Sequence, residues 1–147
     1  MRLPAILTAC LIGVPAAGTA QGKEVIRMPG ALEGLPFSTA VRVGDMLYLS
    51  GQIGTLPGTR ELAPGGTAGQ TRQTLENIKQ VLEYAGSSMD RVVKCTVFLL
   101  DIADYAAMNE VYASFFPNDP PARSTLAGSG LALGARVEIE CIGLAGR

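Results

Sequence analysis

Between Lys23 and Leu144 the hydrophobic spacing switches from the two-residue repeat of a strand to the 3.6-residue repeat of a helix and back, and only two stretches are helical. Lys23 to Met28 reads as a short strand. Phe37 to Val43 and Met46 to Gly51 are β-rich runs joined by Gly44-Asp45, a link of the kind that closes tight hairpins. Residues 54–66 are rich in Gly, Pro and Thr and read as a loop. From Thr67 to Ala85 the pattern is helical, with Thr71, Leu75, Ile78, Leu82 and Ala85 on one stripe and Gly86 as the C-terminal cap. Arg91 to Leu100 is a strand. A second helix follows, capped by Asp101 or Asp104, with Met108, Val111, Tyr112 and Phe115 on its buried side and Pro117 to Pro121 ending it. Ala122 to Ala127 and Arg136 to Leu144 are the last strands. The expected fold is α+β, a single mixed β-sheet with two helices on one face.

Two helices on one face leave the other face to be explained. On strand 91–100, Val93, Cys95, Val97 and Leu99 are uniformly apolar, whereas Lys94, Thr96 and Phe98 are mixed. Strand 136–144 sets Val137, Ile139 and Cys141 against Glu138, Glu140 and Ile142. A mixed face of this kind is either solvated or packed on another subunit. Cys95 and Cys141 sit in phase with the apolar residues and read as small buried hydrophobes. A disulfide between them stays open, because sequence alone does not place their Cα atoms.

At 147 residues the chain is one domain. Its net charge of −1 comes without a basic stripe, which disfavours a nucleic-acid partner. Residues 1–20 stand apart. Met1-Arg2 is a short positive start, Leu3 to Ala17 is charge-free and apolar, and Gly18-Thr19-Ala20 are the small residues a signal peptidase reads. The expectation is a signal peptide cut after Ala20, a domain over residues 23–147, and a periplasmic or secreted product without stable membrane insertion. Leu7-Thr8-Ala9-Cys10 as a lipoprotein box, or an uncleaved anchor, are the rival readings.

The chain has no His, so proton transfer falls to carboxylates and metal ligation by close His or Cys sets is not expected. Arg123 follows Pro120-Pro121, which restricts the backbone entering it. A planar guanidinium grips a carboxylate through two parallel bonds, although a surface or salt-bridging Arg is the plain alternative. Glu138, beside Glu140, suits a general acid/base if burial raises its pKa; otherwise it is solvated or paired with Lys94 or Arg136.

Four strings carry a resemblance: Ser50-Gly51-Gln52-Ile53, Tyr105 to Phe116, Pro120 to Thr125, and Val137 to Glu140. In order and spacing they resemble the RidA (reactive intermediate deaminase A, or YjgF) family. The resemblance implies a chorismate-mutase-like fold and a homotrimer with a barrel-like core and sites in the clefts between subunits. It implies an enzyme that needs neither metal nor cofactor and hydrolyses 2-imino acids such as 2-iminopropanoate or 2-iminobutanoate to 2-keto acids and ammonia. Arg123 would hold the carboxylate, Glu138 would assist the water and the Thr125 carbonyl would orient it. Gly51, Asn109 and Phe37 would line the site. Two positions depart from the family pattern: Phe37 stands where Tyr is common, and Thr125 where Cys is common. A module that binds small carboxylates or keto acids without turnover, or a stress-activated holdase of the same fold, are the alternatives.

The N-terminal pattern predicts that protein recovered from a periplasmic fraction begins at Gln21 by mass spectrometry. A chain intact from Met1 in the cytosol would contradict export.

Overall fold

The computed structural model describes residues 22–30 and 34–146. The proposed leader therefore lies outside the described residues. Strands β1 (Lys23–Ile26), β2 (Ala40–Val43), β3 (Met46–Leu49) and β4 (Gln52–Ile53) precede helix α1 (Gly66–Tyr84). Strand β5 (Val92–Leu99), helix α2 (Tyr105–Phe115), strand β6 (Ala122–Ala127) and strand β7 (Val137–Leu144) complete the order. All the strands join one sheet in the order β1-β2-β3-β7-β5-β6, with β4 also paired to β7. Only β5 and β6 run parallel, joined through α2 as the crossover; the other pairs are antiparallel, so the sheet is mixed. The α+β expectation is correct.

The β2–β3 hairpin closes on Val43 and Met46, as the Gly44-Asp45 link predicts. Helix α1 buries Thr71, Leu75, Ile78 and Leu82 on one stripe. Two of its three buried threonines bond backwards along the helix, Thr71 Oγ1 donating to the Thr67 carbonyl and Thr74 Oγ1 to the Gln70 carbonyl. Gly86 takes the left-handed conformation at φ 74° and lets the Ser87 N–H reach back to the Leu82 carbonyl at 2.8 Å. At the start of the second helical region Asp101 is the cap, its side chain accepting from the Ala103 N–H of a short 3₁₀ turn. Asp104 instead forms an ion pair with Arg136 at 2.6 Å, tying the start of α2 to the segment before β7.

The core lies between the helices and one face of the sheet. Leu47, Leu75, Ile78, Leu82, Val97, Leu99, Met108, Val137 and Ile139 are fully enclosed there. One detail of β5 differs from the sequence pattern: Val92 is buried and Val93 is exposed. The cause is an irregularity in the β5–β7 pairing between Val92 and Lys94, which shifts the alternation by one residue at the strand's start. Beyond it, Lys94, Thr96 and Phe98 share the uncovered face with Glu138, Glu140 and Ile142, as expected.

Cys95 and Cys141 are direct cross-strand neighbours in that register, with Cα atoms 4.1 Å apart, and they form a disulfide. The bridge that sequence alone leaves open is thus made, between two residues that are buried as expected. The pairing is a property of the β5–β7 register, which links residues 46 apart in sequence. Thiol titration of unfolded, unreduced protein should find both cysteines unreactive until reductant is added. Closing a loop of this length stabilises a chain by about 2–4 kcal/mol, so reduction should lower the melting temperature measurably. Two titratable thiols before reduction would contradict the bridge.

Candidate functional site

Register fixes the direction of Arg123. In β6 it pairs with Cys95, and Thr125 pairs with Val97; Cys95 and Val97 face the helices, so Arg123 and Thr125 face them as well. Ser124 points the other way and accepts from Lys94 Nζ on the uncovered face at 2.9 Å. Helix α2 crosses above β6 and presents Tyr105, Asn109 and Tyr112, spaced i, i+4 and i+7, toward the guanidinium. Arg123 Nη2 donates to Tyr105 Oη at 2.9 Å and to Asn109 Oδ1 at 2.8 Å. Its Cζ lies 4.6 Å from the Tyr112 ring centroid and 5.6 Å from that of Tyr105.

These residues open on a cleft of about 470 Å³ walled also by Phe116, Pro120, Pro121 and Thr125. Among the described residues no carboxylate lies within ion-pair distance of Arg123. A half-buried cation is thus held by neutral acceptors and an aromatic face, with its charge left uncompensated. A small anion entering the cleft would supply that compensation and regain the solvation the guanidinium has lost. Two further polar atoms of the cleft residues, Tyr112 Oη and Thr125 Oγ1, are buried without a hydrogen-bond partner. Burial pushes the Tyr112 hydroxyl up to about 12 against the opposing pull of Arg123, so it stays protonated and able to donate.

Glu138 belongs to a different place. Alternation along β7 puts it on the uncovered face, paired in register with Phe98. Its carboxyl packs against Gly51, where a β-carbon would collide with Oε1. A side chain at position 51 would force the Glu138 carboxyl to move from this position. Burial, and then the neighbouring charge of Glu140, raise the Glu138 pKa above the ordinary carboxylate value. Phe37 is 56 % exposed and stands just before Ser38, whose carbonyl accepts from Ser50 Oγ at 2.6 Å. That bond ties the segment after Phe37 to the strand end that leads into Gly51.

The six expected site residues thus form two groups. Arg123, Asn109 and Thr125 meet under α2, while Glu138 and Gly51 meet on the opposite face of the sheet with Phe37 tethered nearby. Sequence reasoning missed Tyr105 and the second role of Tyr112, which it assigned only to the buried stripe. The i, i+4, i+7 spacing of Tyr105, Asn109 and Tyr112 was the available signal. Among the described residues no group of three or more His, Cys, Asp or Glu gathers to hold a metal ion, and no helix is long and apolar enough to cross a membrane.

A family model described as endoribonuclease L-PSP matches residues 30–145. The chain belongs to this family, the RidA/YjgF family. A RutC family protein of Pyrococcus horikoshii is 46% identical over 121 residues, covering 82% of this chain and 96% of the relative. A mouse protein named 2-iminobutanoate/2-iminopropanoate deaminase is 40% identical over 111 residues, covering 76% of this chain and 82% of its own. The crystal structure of RidA from an Antarctic Psychrobacter superposes with a TM-score of 0.72 at 41% identity, covering 77% of this chain and 91% of that one.

A carboxyl with a raised folded-state pKa binds its proton more tightly folded than unfolded. Its favourable contribution is full at acid pH and is lost as pH rises through the folded pKa. Above that pH the fold holds an ionised carboxylate at a cost, and Glu138→Gln removes the cost. The variant should gain melting temperature relative to wild type at pH about 7, and the gain should vanish near pH 4, close to the unperturbed carboxyl value. An equal shift at both pH values would contradict the raised pKa.

Proposed function

We propose that the chain is a 2-imino acid deaminase whose catalytic clefts form between copies in a homotrimer. The observation that carries this reading is Arg123: a cation with no counter-ion among the described residues, held by Tyr105, Asn109 and Tyr112 at a cleft with apolar walls. One positive charge suits a small monocarboxylate. It does not suit the polyanion that the endoribonuclease wording of the family model would call for. Relatives at about 40% identity named 2-iminobutanoate/2-iminopropanoate deaminase support the reaction.

In this mechanism Arg123 holds the substrate carboxylate. The Thr125 carbonyl orients a water, whose oxygen attacks the C=N carbon. The nitrogen gains a proton, the resulting carbinolamine collapses, the C–N bond breaks, and a 2-keto acid and ammonia leave. Glu138 carries the proton from water to nitrogen, and its raised pKa brings the carboxyl nearer the working pH. The imine carbon is already electrophilic, so positioning and one proton shuttle suffice.

A second copy is needed because Arg123 and Glu138 lie on opposite faces of one sheet. The uncovered face supports such assembly. Val25, Val43, Tyr48, Leu126 and Leu144 share it by register, and each is more than a third exposed. Closed threefold packing buries such a face. Light scattering should give three times the monomer mass, and a stable monomer at micromolar concentration would remove the intersubunit site.

The reaction is tested by generating 2-iminopropanoate with an amino-acid oxidase and following its competition with semicarbazide trapping. Wild-type protein should accelerate imine loss. Arg123→Lys keeps the charge but loses the fork; at about 1.5–3 kcal/mol per charge-assisted bond, kcat/KM should fall roughly a hundredfold or more. Glu138→Gln should slow turnover while leaving pyruvate binding largely intact. If wild-type protein binds pyruvate through Arg123 without accelerating imine loss, the chain is a binding module. Phe37, standing where the deaminases commonly have Tyr, is the residue that keeps that second reading in view.

A further inference from the structure

Arg123 spends both donors of one nitrogen on its neighbours. Nη2 carries two N–H groups, and it donates both to Tyr105 Oη at 2.9 Å and to Asn109 Oδ1 at 2.8 Å. A guanidinium offers a carboxylate two parallel forks, Nη1 with Nη2 at its end and Nε with Nη2 along its side. Nη2 belongs to both. With its N–H groups engaged, neither fork is open, although the charge is available.

From this geometry we infer that Tyr105 is a specificity-determining residue that occupies the carboxylate seat and is displaced by the substrate. The inference rests on the carboxylate seat proposed above. Tyr105, not Asn109, gives way because of where each sits. Tyr105 is the first residue of α2 and is 41% exposed, so its side chain can turn toward solvent while the anchored backbone stays in place. Asn109 stands a turn further in and is half-buried. Tyr112, whose ring is closer to Cζ than that of Tyr105, and Asn109 keep the guanidinium in place when Tyr105 leaves.

The consequence is selection by geometry. A ligand must compensate for the lost tyrosine bond, and a carboxylate does so by placing two oxygens on the reopened fork. A halide offers one contact and cannot replace the hydroxyl at equal advantage. Tyr105 thus screens the cleft against the small inorganic anions that a bare, half-buried guanidinium would collect.

Tyr105→Phe removes the hydroxyl and keeps the ring over Arg123. Calorimetry on the intact protein should show pyruvate binding roughly two- to tenfold tighter than in wild type, the worth of one net hydrogen bond. Chloride should compete with pyruvate more strongly in the variant than in wild type. Unchanged or weaker pyruvate binding by Tyr105→Phe, with its circular dichroism intact, would overturn the displacement. In that case wild-type binding that is lost in Arg123→Lys would leave the carboxylate seat standing. If neither wild type nor Tyr105→Phe binds pyruvate, the seat itself is wrong and the role of Tyr105 falls with it.

Discussion

Side chains alternate across a β-strand, and in this molecule that alternation separates the cation from the carboxylate. Arg123 and Thr125 take the phase of Cys95 and Val97, under α2. Glu138 takes the phase of Phe98, on the face no helix covers. A shift of one residue in β7 would reverse the face of Glu138, but the enclosed Val137, Ile139 and Cys141 hold its register against that. The sheet therefore lies between the two groups, and no side-chain rotation within one copy brings them together. Chemistry that uses both would draw on a neighbouring copy, and the proposed assembly seats that copy on the uncovered face with its exposed apolar side chains.

The cation half is built to hold its charge still. The parallel β5–α2–β6 crossover sets α2 over the edge strand that carries Arg123. The start of α2 is anchored twice, by the Asp101 cap on the 3₁₀ turn before it and by the Asp104–Arg136 ion pair. Arg136 also bonds Thr67 Oγ1 at 2.8 Å, which joins α1 to the same point. Tyr105, Asn109 and Tyr112 thus approach Arg123 from a fixed helix. Positioning of this kind lowers the entropy lost when a ligand is gripped. In the carboxylate half, Gly51 leaves room for the Glu138 carboxyl, whose pKa is raised by partial burial and then by the neighbouring Glu140 charge.

Much of this was legible in the residues because it depends on local periodicity. The hairpin at Gly44-Asp45, the stripe of α1, the Gly86 cap and the two faces of β5 and β7 all follow from spacing within one element. What was not legible depends on pairing between distant strands. The Cys95–Cys141 bridge needs the β5–β7 register, and the exposure of Val93 needs the irregularity beside it. The separation of Glu138 and Gly51 from Arg123 also follows from strand phase, but only once β6 is known to pair with β5 in parallel. Tyr105 was overlooked because its partner lies 18 residues along the chain, across a crossover.

The central claim is that Arg123 of one copy works with Glu138 of another, and mixing two inactive variants tests it most directly. Arg123→Ala and Glu138→Gln proteins are unfolded together, refolded as mixed assemblies and assayed for imine hydrolysis. If each cleft draws Arg123 from one copy and Glu138 from its neighbour, random mixing leaves about a quarter of the clefts intact, and activity should return toward that fraction of wild type. If both residues serve one cleft within a single copy, no mixture contains an intact cleft. Activity that stays at the level of the separate variants, in assemblies shown by mass to contain both chains, would contradict the account.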